Sequence, residues 1–569
     1  MQKKWVYQRP PEPSKVQFLA NQLNINHALA AILVQRGIDT FEKARTFFRP
    51  SLDLLHDPFL MKDMATAVET VENAISAGEK ILIYGDYDVD GTTAVSLVYG
   101  FLKTLYAKID YYIPDRYTEG YGLSEMGLQH AIDRDYKLII TLDCGIKAVD
   151  LVAKGVSNGL KFIICDHHFP GEVLPPAAAV LDAKQRGCTY PYKELTGCGV
   201  GFKLIQAIGI QRSIPVETIY EFLDLVAVSI AADIVPITGE NRVLSYYGLK
   251  KLNKHPRPGL KALLDIGGIS SQVQVGISEV VFGLAPRINA AGRIDHAKSA
   301  VKLLLSESGR EAAKWADNVD QNNSLRKEKD SNTTREALAM IAETAHHEGA
   351  RSTVLYQEHW HKGVIGIVAS RCIEEYYRPT IILTQSQNKA TGSARSVPGF
   401  DIYEAISACS DLLDAYGGHK YAAGLTLPLE KIEDFQKRFE EVVSASITEE
   451  MLTPRLEIDH ELSLEDINDN FYNVLRQIGP FGPGNMTPVF VTKGLKTHSG
   501  TRVLKEKHLK FRIKSSSGKY FDGVAFGMSK YAEELQAGAS FDVAYTLEIN
   551  NFRGERSLQM MVKDIKLQS

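Results

Sequence analysis

Several common signatures are missing from this sequence, and each absence excludes a class of protein. Residues 1–5 carry two lysines and no apolar core, which is not the pattern of a secretory signal peptide. No apolar run approaches the roughly 20 residues of a membrane-spanning helix. The six cysteines form no CxxC pair, which disfavours a zinc site and a disulfide framework. We therefore expect a cytoplasmic protein with reduced thiols and no membrane contact.

The sequence also lacks two catalytic loops and a strong net charge. No GxxxxGK[ST] loop is present, so nucleotide-driven motor chemistry has no support, and no GxSxG elbow is present either. The net charge of -4 argues against a protein that is basic throughout. A local basic patch could still bind nucleic acid, because counterion release depends on the patch alone.

The 569 residues are too many for one hydrophobic core, so several domains are expected. We predict an N-terminal helical cap (1–60), an α/β domain (61–309), a connecting helix (310–348), a second α/β domain (349–450) and a C-terminal β domain (451–569).

Short apolar strands alternate with helical patterns in the first α/β domain. The predicted strands are Lys80–Tyr84, Ile109–Ile113, Leu138–Leu142, Lys161–Cys165 and Ala178–Leu181, and the predicted helices include Ala65–Ala77, Thr92–Leu105 and Glu217–Ala232. This alternation predicts a doubly wound parallel sheet.

The later part of the chain changes pattern twice. Residues 310–348 contain no glycine or proline and would span about 58 Å as one helix, unless polar Asn322, Asn323 and Ser324 break it. Two strands (Ser352–Tyr356 and Thr380–Thr384) and a helix (Gly366–Tyr376) then indicate the second α/β domain. Beyond about residue 455 the short strands and glycine turns suit a small OB-like β-barrel. Its predicted strands are Val489–Thr492, Lys510–Lys514, Phe521–Phe526, Phe541–Ile549 and Leu558–Ile565.

Carboxylates and imidazoles follow the apolar strands of the first α/β domain. The groups are Asp86, Asp88 and Asp90 after the first strand, Asp143 after the third, Asp166, His167 and His168 after the fourth, and Asp233 after a buried helix. The carboxyl ends of parallel strands form one crevice, so we expect these groups to meet. Such a cluster suits two Mn²⁺ or Mg²⁺ ions, which can activate water for in-line attack on phosphorus. The alternatives are an aspartate-rich turn that caps the next helix and a surface pair of histidines.

These stretches resemble, in order, the four motifs of the DHH phosphoesterase superfamily, and most of all its RecJ branch of single-strand-specific exonucleases. The motifs are Asp86-Tyr87-Asp88-Val89-Asp90-Gly91, Asp143-Cys144-Gly145, Asp166-His167-His168 and Ala232-Asp233-Ile234-Val235-Pro236. Supporting stretches are Phe282–Arg293, Trp360–Arg371, Gly392–Ser396, Gly417–Gly424 and Pro480–Asn485. The resemblance covers roughly residues 50–569. It implies a DHH domain and a DHH-associated domain with the active site between them, and an OB-like domain that guides the strand.

The resemblance also implies roles for individual residues. The metal ligands would be Asp88, Asp90, Asp143, His167 and Asp233, with Asp86 as a further or supporting ligand and His168 as a supporting group that can relay a proton. Pyrophosphatases of the superfamily place a metal-binding histidine four residues before the first ligand aspartate. Here that position is Tyr84.

A set of cationic and polar residues is expected to bind the substrate. The resemblance implies that Arg116, Ser393 and Arg395 hold a terminal 5′ phosphate, and that Arg287, Asn289 and Arg293 bridge the metal site and the substrate backbone; Tyr121 and His419 complete the set. Ser393 and Arg395 are predicted in a glycine-flanked turn and His419 in another. The alternative is that these are solvated turn residues, and that Asn289 caps a helix.

The C-terminal domain contains a basic and aromatic run. Nine lysines or arginines and one acid lie between Lys493 and Lys519, with Phe511, Tyr520 and Phe521 in or beside the run. Cationic grooves with stacking rings bind single strands. A solvated charge run on a half-buried strand is the alternative.

These features favour a metal-dependent 5′-to-3′ exonuclease on single-stranded DNA that releases mononucleotides in DNA repair and recombination. We expect a monomer that works with a single-strand-binding protein and a helicase. A phosphodiesterase for short oligonucleotides or cyclic dinucleotides would need no OB-like domain. A strand-binding scaffold without catalysis would lack the metal ligands.

Overall fold

The computed structural model describes residues 3–269, 274–343, 349–552 and 555–568. The chain divides into two compact units, one made of Leu55–Val235 and Leu244–Pro454 and the other of Gln2–Leu54, Pro236–Val243 and Arg455–Ser569. None of the helices in the described ranges has the length and hydrophobicity that crossing a bilayer requires. The predicted bounds of the five domains stay a prediction.

The N-terminal segment is mostly helical, as predicted. It contains β1 (Lys4–Tyr7), α1 (Pro13–Leu23), α2 (His27–Gln35) and α3 (Phe41–Phe48). Side chains of Asn26 and Thr40 cap the second and third helices.

The first α/β region forms the predicted doubly wound parallel sheet. Its elements are α4 (Met64–Ser76), β2 (Lys80–Gly85), α5 (Val89–Lys103), β3 (Ile109–Tyr112), α6 (Glu125–Asp133), β4 (Tyr136–Leu142), α7 (Val149–Ser157), β5 (Lys161–Cys165), β6 (Ala179–Leu181), α8 (Gly197–Gln211), α9 (Val216–Tyr220) and α10 (Leu223–Ala232). The strand order is β3-β2-β4-β5-β6, and every pair is parallel. The predicted helix Glu217–Ala232 is two helices, α9 and α10.

Six helices follow: α11 (Gly239–Lys254), α12 (Pro258–Ile266), α13 (Ile277–Glu279), α14 (Ala285–Ile294), α15 (Lys298–Leu304) and α16 (Gly309–Glu343). The last is the predicted connecting helix, 35 residues long and therefore about 52 Å. Asn322, Asn323 and Ser324 do not break it. Residues 344–348 of the predicted helix lie outside the described residues.

The second α/β region has a mixed sheet. Its elements are β7 (Thr353–Gln357), α17 (Ile365–Tyr376), β8 (Thr380–Ser386), β9 (Lys389–Arg395), α18 (Ile402–Ser407), β10 (Ala415–His419), β11 (Ala422–Pro428) and α19 (Ile432–Ser446). The order is β10-β11-β9-β8-β7, and only β7 and β8 are parallel. The sequence patterns did not predict β9 and β10 as strands, because their glycines suggested turns.

The C-terminal region is the predicted β domain, and its sheet does not close into a barrel within the described residues. Its elements are β12 (Arg455–Ile458), β13 (His460–Glu461), α20 (Asp469–Ile478), β14 (Phe490–Leu495), β15 (Thr497–Leu504), β16 (His508–Lys514), β17 (Tyr520–Ala525), α21 (Ala532–Gln536), β18 (Phe541–Phe552) and β19 (Glu555–Leu567). Seven strands pair in the order β13-β14-β18-β19-β17-β16-β15, and β1 pairs with β12. Leu29 and Ile32 of α2 share one core with Phe511 and Phe541 of this sheet, so the N-terminal helices are part of the C-terminal unit.

Candidate metal centre and phosphate cavity

The loop after β2 carries the first three predicted acids. Asp88 is the N-cap of α5, where its Oδ1 accepts a hydrogen bond from Gly91 N at 3.0 Å. Asp88 therefore caps the helix, as the alternative predicted, but this hydrogen bond occupies only one acceptor position of the carboxylate. Asp86 accepts a 3.2 Å bond from Gly122 N through Oδ1, while its buried Oδ2 has no hydrogen-bond partner among the described residues. Both carboxylates keep acceptor capacity for a cation.

Asp90 is held by three hydrogen bonds. Its Oδ2 accepts from Gly197 N at 2.7 Å, and its Oδ1 accepts from Cys198 N at 2.8 Å and Ser229 Oγ at 2.7 Å. These bonds use three of its four lone-pair positions and leave one on Oδ2. Ser229 was missed by sequence analysis, because nothing local in the sequence of α10 marks the contact.

Asp143 follows β4 in a left-handed conformation, with φ of 60°. Aspartate tolerates this conformation better than most residues, although it stores some strain. A Cβ on Gly197 would lie 2.6 Å from the Asp143 Cβ, so only glycine lets the start of α8 come this close. The fold therefore fixes Asp143 from both sides.

His167 lies at the centre of the cluster. Its Nε2 is 3.2 Å from Asp143 Oδ1 and 3.6 Å from both Asp90 Oδ2 and Asp233 Oδ2. Both ring nitrogens are buried, and neither makes a hydrogen bond within the described ranges. Buried nitrogens without partners are unfavourable unless something else binds them.

His168 is oriented by Asp166. Its Nδ1 lies 2.7 Å from Asp166 Oδ1, which also accepts from the backbone N–H groups of both histidines. Burial opposes ionisation of Asp166, but the hydrogen bond and the charge of His168 lower the pKa of Asp166 to about 2. The same contact outweighs burial and raises the pKa of His168 above its usual value.

The pKa shifts of the acids show a concentration of negative charge. Burial, followed by the neighbouring carboxylates, raises the pKa of Asp86, Asp88 and Asp143. Burial and then Asp90 raise the pKa of Asp233 to about 9. The positive charges nearby, Arg116 for Asp86, His168 for Asp88 and Lys184 for Asp233, do not offset these effects.

The donor set fits divalent cations. One ligand atom from each of Asp90, His167 and Asp233 lies within 4.8 Å of the others, and the same holds for Asp143, His167 and His168. Carboxylate oxygens with one or two imidazoles suit Mg²⁺ and, because of the imidazole, Mn²⁺. The unpartnered atoms of Asp86, His167 and Asp233 are the ones that a cation would satisfy.

Two further residues of this region behave differently from the expected ligands. Tyr84 is fully buried, and its hydroxyl donates to Gly122 O at 3.1 Å, so it supplies no metal ligand. Asp182, which follows β6, was missed by sequence analysis, although its place after a strand is the signal that located the other acids. It is buried with an unpartnered Oδ2, and burial raises the pKa of Asp182 to about 7.

A cationic cavity of about 520 Å³ lies between the first and second α/β regions of this unit. Arg116, Arg293, Lys362, Ser393 and Arg395 line it together with the glycines of β9, β10 and β11. Its described lining contains no aspartate or glutamate. Burial and then Arg116 lower the pKa of Arg293, to about 10, and of Arg395. Clustered cations of this kind favour a bound anion.

The substrate-binding residues predicted in the second region lie on strands, which corrects two expectations. Ser393 and Arg395 are in β9 and His419 ends β10, so none of them is in a turn. Arg395 Nη1 donates to Ser393 Oγ at 3.1 Å, which places both groups at the cavity. Burial, followed by the charges of Lys147 and His168, lowers the pKa of His419.

Helix α14 brings only part of its predicted set to the cavity. Arg293 lines it and donates to Gly363 O at 3.1 Å. Arg287 instead pairs with Asp320 of α16, with Nε 2.7 Å from Oδ1, and does not line the cavity. Asn289 lies inside α14 rather than at its start, so the capping alternative is wrong for that helix.

Tyr121 lies beside the metal ligands. Its hydroxyl donates to Asp143 O at 3.0 Å and is 3.3 Å from His168 Nε2. Its position is therefore set by two groups of the candidate metal site, and half of the ring is exposed.

Only some side chains of the basic and aromatic run in the C-terminal unit are free to contact a nucleic-acid strand. Phe511 and Phe521 are buried in the core, as the alternating pattern allowed, so they cannot stack on bases. Asp522 pairs with Lys510 at 3.0 Å and with Arg512 at 2.7 Å. Tyr520 is 50% exposed, and Lys514 Nζ lies 5.5 Å from its ring centroid. Of the three rings of the predicted run, Tyr520 is therefore the one that could stack on a base.

Comparison with known proteins agrees with these features. The model of the DHH family, N-terminal domain, matches residues 80–230, that of the DHHA1 domain matches 349–445 and that of the RecJ OB domain matches 458–564. The single-stranded-DNA-specific exonuclease RecJ of Bacillus subtilis is 39% identical over 564 residues, which are 99% of this chain and 70% of that one. This chain belongs to the RecJ family. The resemblance inferred from the four motifs is confirmed.

Solved RecJ structures show the same fold. RecJ from Thermus thermophilus in complex with Mn²⁺ superposes with a TM-score of 0.85 at 28% identity, over all of this chain and 80% of that one. Its complex with Mg²⁺ gives 0.80 at 26% identity, over all of this chain and 79% of that one. The assignment of individual residues rests on the contacts described above.

Proposed function

We propose that this chain is a metal-dependent exonuclease that degrades single-stranded DNA from its 5′ end, releases mononucleotides and acts in DNA repair and recombination. The observation that carries the proposal is the joint presence, in one unit, of a buried cluster of acids and imidazoles and a cationic cavity without acids. The substrate class is inherited from the named function of the RecJ relatives. The alternative of a strand-binding scaffold without catalysis is disfavoured, because such a scaffold would be expected to lack a cluster like that of Asp90, His167 and Asp233.

Asp88, Asp90, Asp143, His167 and Asp233 would hold two Mn²⁺ or Mg²⁺ ions, with Asp86 beside them. Divalent ions bound there activate water and neutralise the charge that builds on a phosphoryl group. The chain itself positions these groups. The start of α8 and Ser229 hold the ligand Asp90, and Asp166 orients His168, which supports the site. His168 Nε2, which lies 3.3 Å from the Tyr121 hydroxyl, would be the atom that moves a proton.

Arg116, Ser393 and Arg395 would hold the terminal phosphate in the cavity. Arginine binds two phosphate oxygens at once, which fixes orientation as well as position. Capture of the end would make cleavage start from that end. Arg293 extends this surface towards α14, while the ion pair of Arg287 favours a structural role for that residue.

The deciding experiment is a digest of end-labelled single-stranded DNA, duplex DNA, single-stranded RNA and dinucleotides with the purified chain, with Mn²⁺, with Mg²⁺ and with chelator. We expect mononucleotides from single-stranded DNA, only with metal, and from the 5′ end. Cleavage of dinucleotides alone would favour the oligonucleotide phosphodiesterase, and release from the 3′ end would contradict the assigned direction.

We further propose that the protein works in the cytoplasm as a monomer, with a helicase or single-strand-binding protein as partner. The six free cysteines, five of them buried, support a reducing compartment. Sedimentation of the purified chain tests the monomer.

A further inference from the structure

Tyr87 joins the candidate metal centre to the phosphate cavity. It stands between Asp86 and Asp88, so its Cα lies about 3.8 Å from the Cα of each acid. Its ring lies under the guanidinium of Arg116, whose Cζ is 4.8 Å from the ring centroid. One side chain therefore separates the acids from the cation expected to hold the terminal phosphate.

Arg116 depends on this ring for its position. Within the described part of the chain, its guanidinium has no hydrogen-bond acceptor and no ion-pair partner. Its N–H groups are thus available to a ligand, and the contact with the aromatic face helps to hold the guanidinium in place, together with its attraction to Asp86.

Tyr87 is itself tightly placed. The edge of its ring meets Tyr121, with centroids 6.2 Å apart and planes at 85°, and Tyr121 is bonded to Asp143 O. On the other side, α14 packs closely against the backbone of Tyr87. A Cβ on Gly292 of this helix would lie only 2.9 Å from Tyr87 O.

We infer that Tyr87 is a positioning residue that sets the distance between the captured 5′ phosphate and the metal centre, and thereby which phosphodiester bond is cut. This inference rests on the proposed function. It predicts that the ring controls both the preference for a phosphorylated end and the length of the released product. A residue that only filled space would control neither.

The test compares Tyr87→Leu and Tyr87→Phe in the full chain on 5′-phosphate and 5′-hydroxyl single strands, with Mn²⁺ as the metal. For Tyr87→Leu we expect the phosphate-to-hydroxyl ratio of kcat/KM to fall about tenfold, with di- and trinucleotides among the first products. The half-saturating Mn²⁺ concentration should stay within about twofold of the wild type, because the metal ligands are kept. Tyr87→Phe should retain the preference and the mononucleotide product, because the ring face remains.

Tyr99→Leu is the matched control, since it removes a ring that lies 5.4 Å from Lys103 Nζ in the same region. It should cost stability without changing the end preference or the product length. If Tyr87→Leu does not fold, Tyr87→Met fills similar space without an aromatic face and is expected to give the same shifts.

Three results would overturn the inference. Unchanged preference and product length in Tyr87→Leu would reject the role of Tyr87 while leaving the proposed function intact. Equal loss of rate on both ends with a large rise in the Mn²⁺ requirement would show that Tyr87 acts on the metal ligands instead. Equal wild-type rates on both ends would reject capture of the phosphate itself, and the role of Tyr87 with it.

Discussion

Ser229 donates a hydrogen bond to Asp90, with Oγ 2.7 Å from Oδ1. Ser229 lies one turn before Asp233, which is the C-cap of α10. The same helix end therefore fixes one candidate ligand and presents another, so the spacing of the two acids depends on where α10 ends.

Substitution of Ser229 by alanine should weaken metal binding without removing a ligand. Residues that orient metal ligands typically contribute 10- to 100-fold in affinity. We expect the half-saturating Mn²⁺ concentration for Ser229→Ala to rise about tenfold, measured by cleavage of single-stranded DNA across a Mn²⁺ titration. Ser96→Ala is the control, because the hydroxyl of this buried serine bonds to Thr92 O within α5 and, among the described residues, makes no hydrogen bond to Asp90. Equal shifts in both variants would mean that the effect is loss of packing.

Asp143→Ala should abolish cleavage while binding of single strands survives, because the strand is held mainly by cations elsewhere. A fall in rate of at least about 10³-fold is expected, measured with excess enzyme and Mn²⁺. Asp135→Ala is a close control: Asp135 has a φ of 59°, against 60° for Asp143, and pairs with exposed Lys137. If Asp143→Ala digests single strands at the wild-type rate, Asp143 is not a ligand of the metal centre.

The location of the candidate metal cluster was predictable, because it follows from the ends of parallel strands. Asp86, Asp143 and Asp166 each follow an apolar strand, and the strand ends meet in the observed sheet. The partners of these acids were not predictable. Contacts such as Ser229 to Asp90 join residues 139 positions apart, and no local pattern records them.

Two differences between the sequence patterns and the observed sheets have a physical origin. Glycines in β9 and β10 suggested turns, yet there they allow close packing; a Cβ on Gly392 would lie 2.5 Å from a Leu383 methyl carbon. The C-terminal strands have the lengths and turns of a small barrel, but closure depends on pairing between the first and last strands. Sequence periodicity describes faces of strands and carries no information about that pairing.

Arg395→Ala should weaken discrimination in favour of a 5′-phosphorylated end. Its loss removes a bidentate phosphate donor from the cavity, for which a reduction of about tenfold in the phosphate-to-hydroxyl ratio of kcat/KM is expected. Arg212→Ala is the control, since Arg212 pairs with Glu72 outside the cavity. Equal rates on both ends, before and after the substitution, would contradict phosphate capture.

Arg287→Ala should affect stability more than cleavage. Loss of the Arg287–Asp320 pair, a half-buried hydrogen-bonded contact of 2.7 Å, should cost about 1–2 kcal/mol in urea unfolding. We expect kcat/KM on single strands to stay within about twofold, and Asp320→Ala to be non-additive with Arg287→Ala. Substitution of the exposed Arg310 of α16 by alanine is the control. A large loss of cleavage with unchanged stability would contradict the structural role and indicate that Arg287 binds the substrate, as the sequence predicted.

Tyr520→Ala tests whether the C-terminal sheet contacts the strand. Stacking of a base on an aromatic ring contributes about 1–3 kcal/mol, so the Kd for a single strand should rise about tenfold or more. Tyr520→Phe should keep the affinity, because stacking needs the ring and not the hydroxyl. Tyr531 is the matched control, since it also lies near a lysine, with Lys530 Nζ 4.9 Å from the ring centroid. Fluorescence anisotropy at two salt concentrations separates stacking from charge, because only the charge contribution falls steeply with salt. Wild-type affinity in Tyr520→Ala would favour the solvated charge run, since the two rings that complete the sequence pattern, Phe511 and Phe521, are already buried in the core.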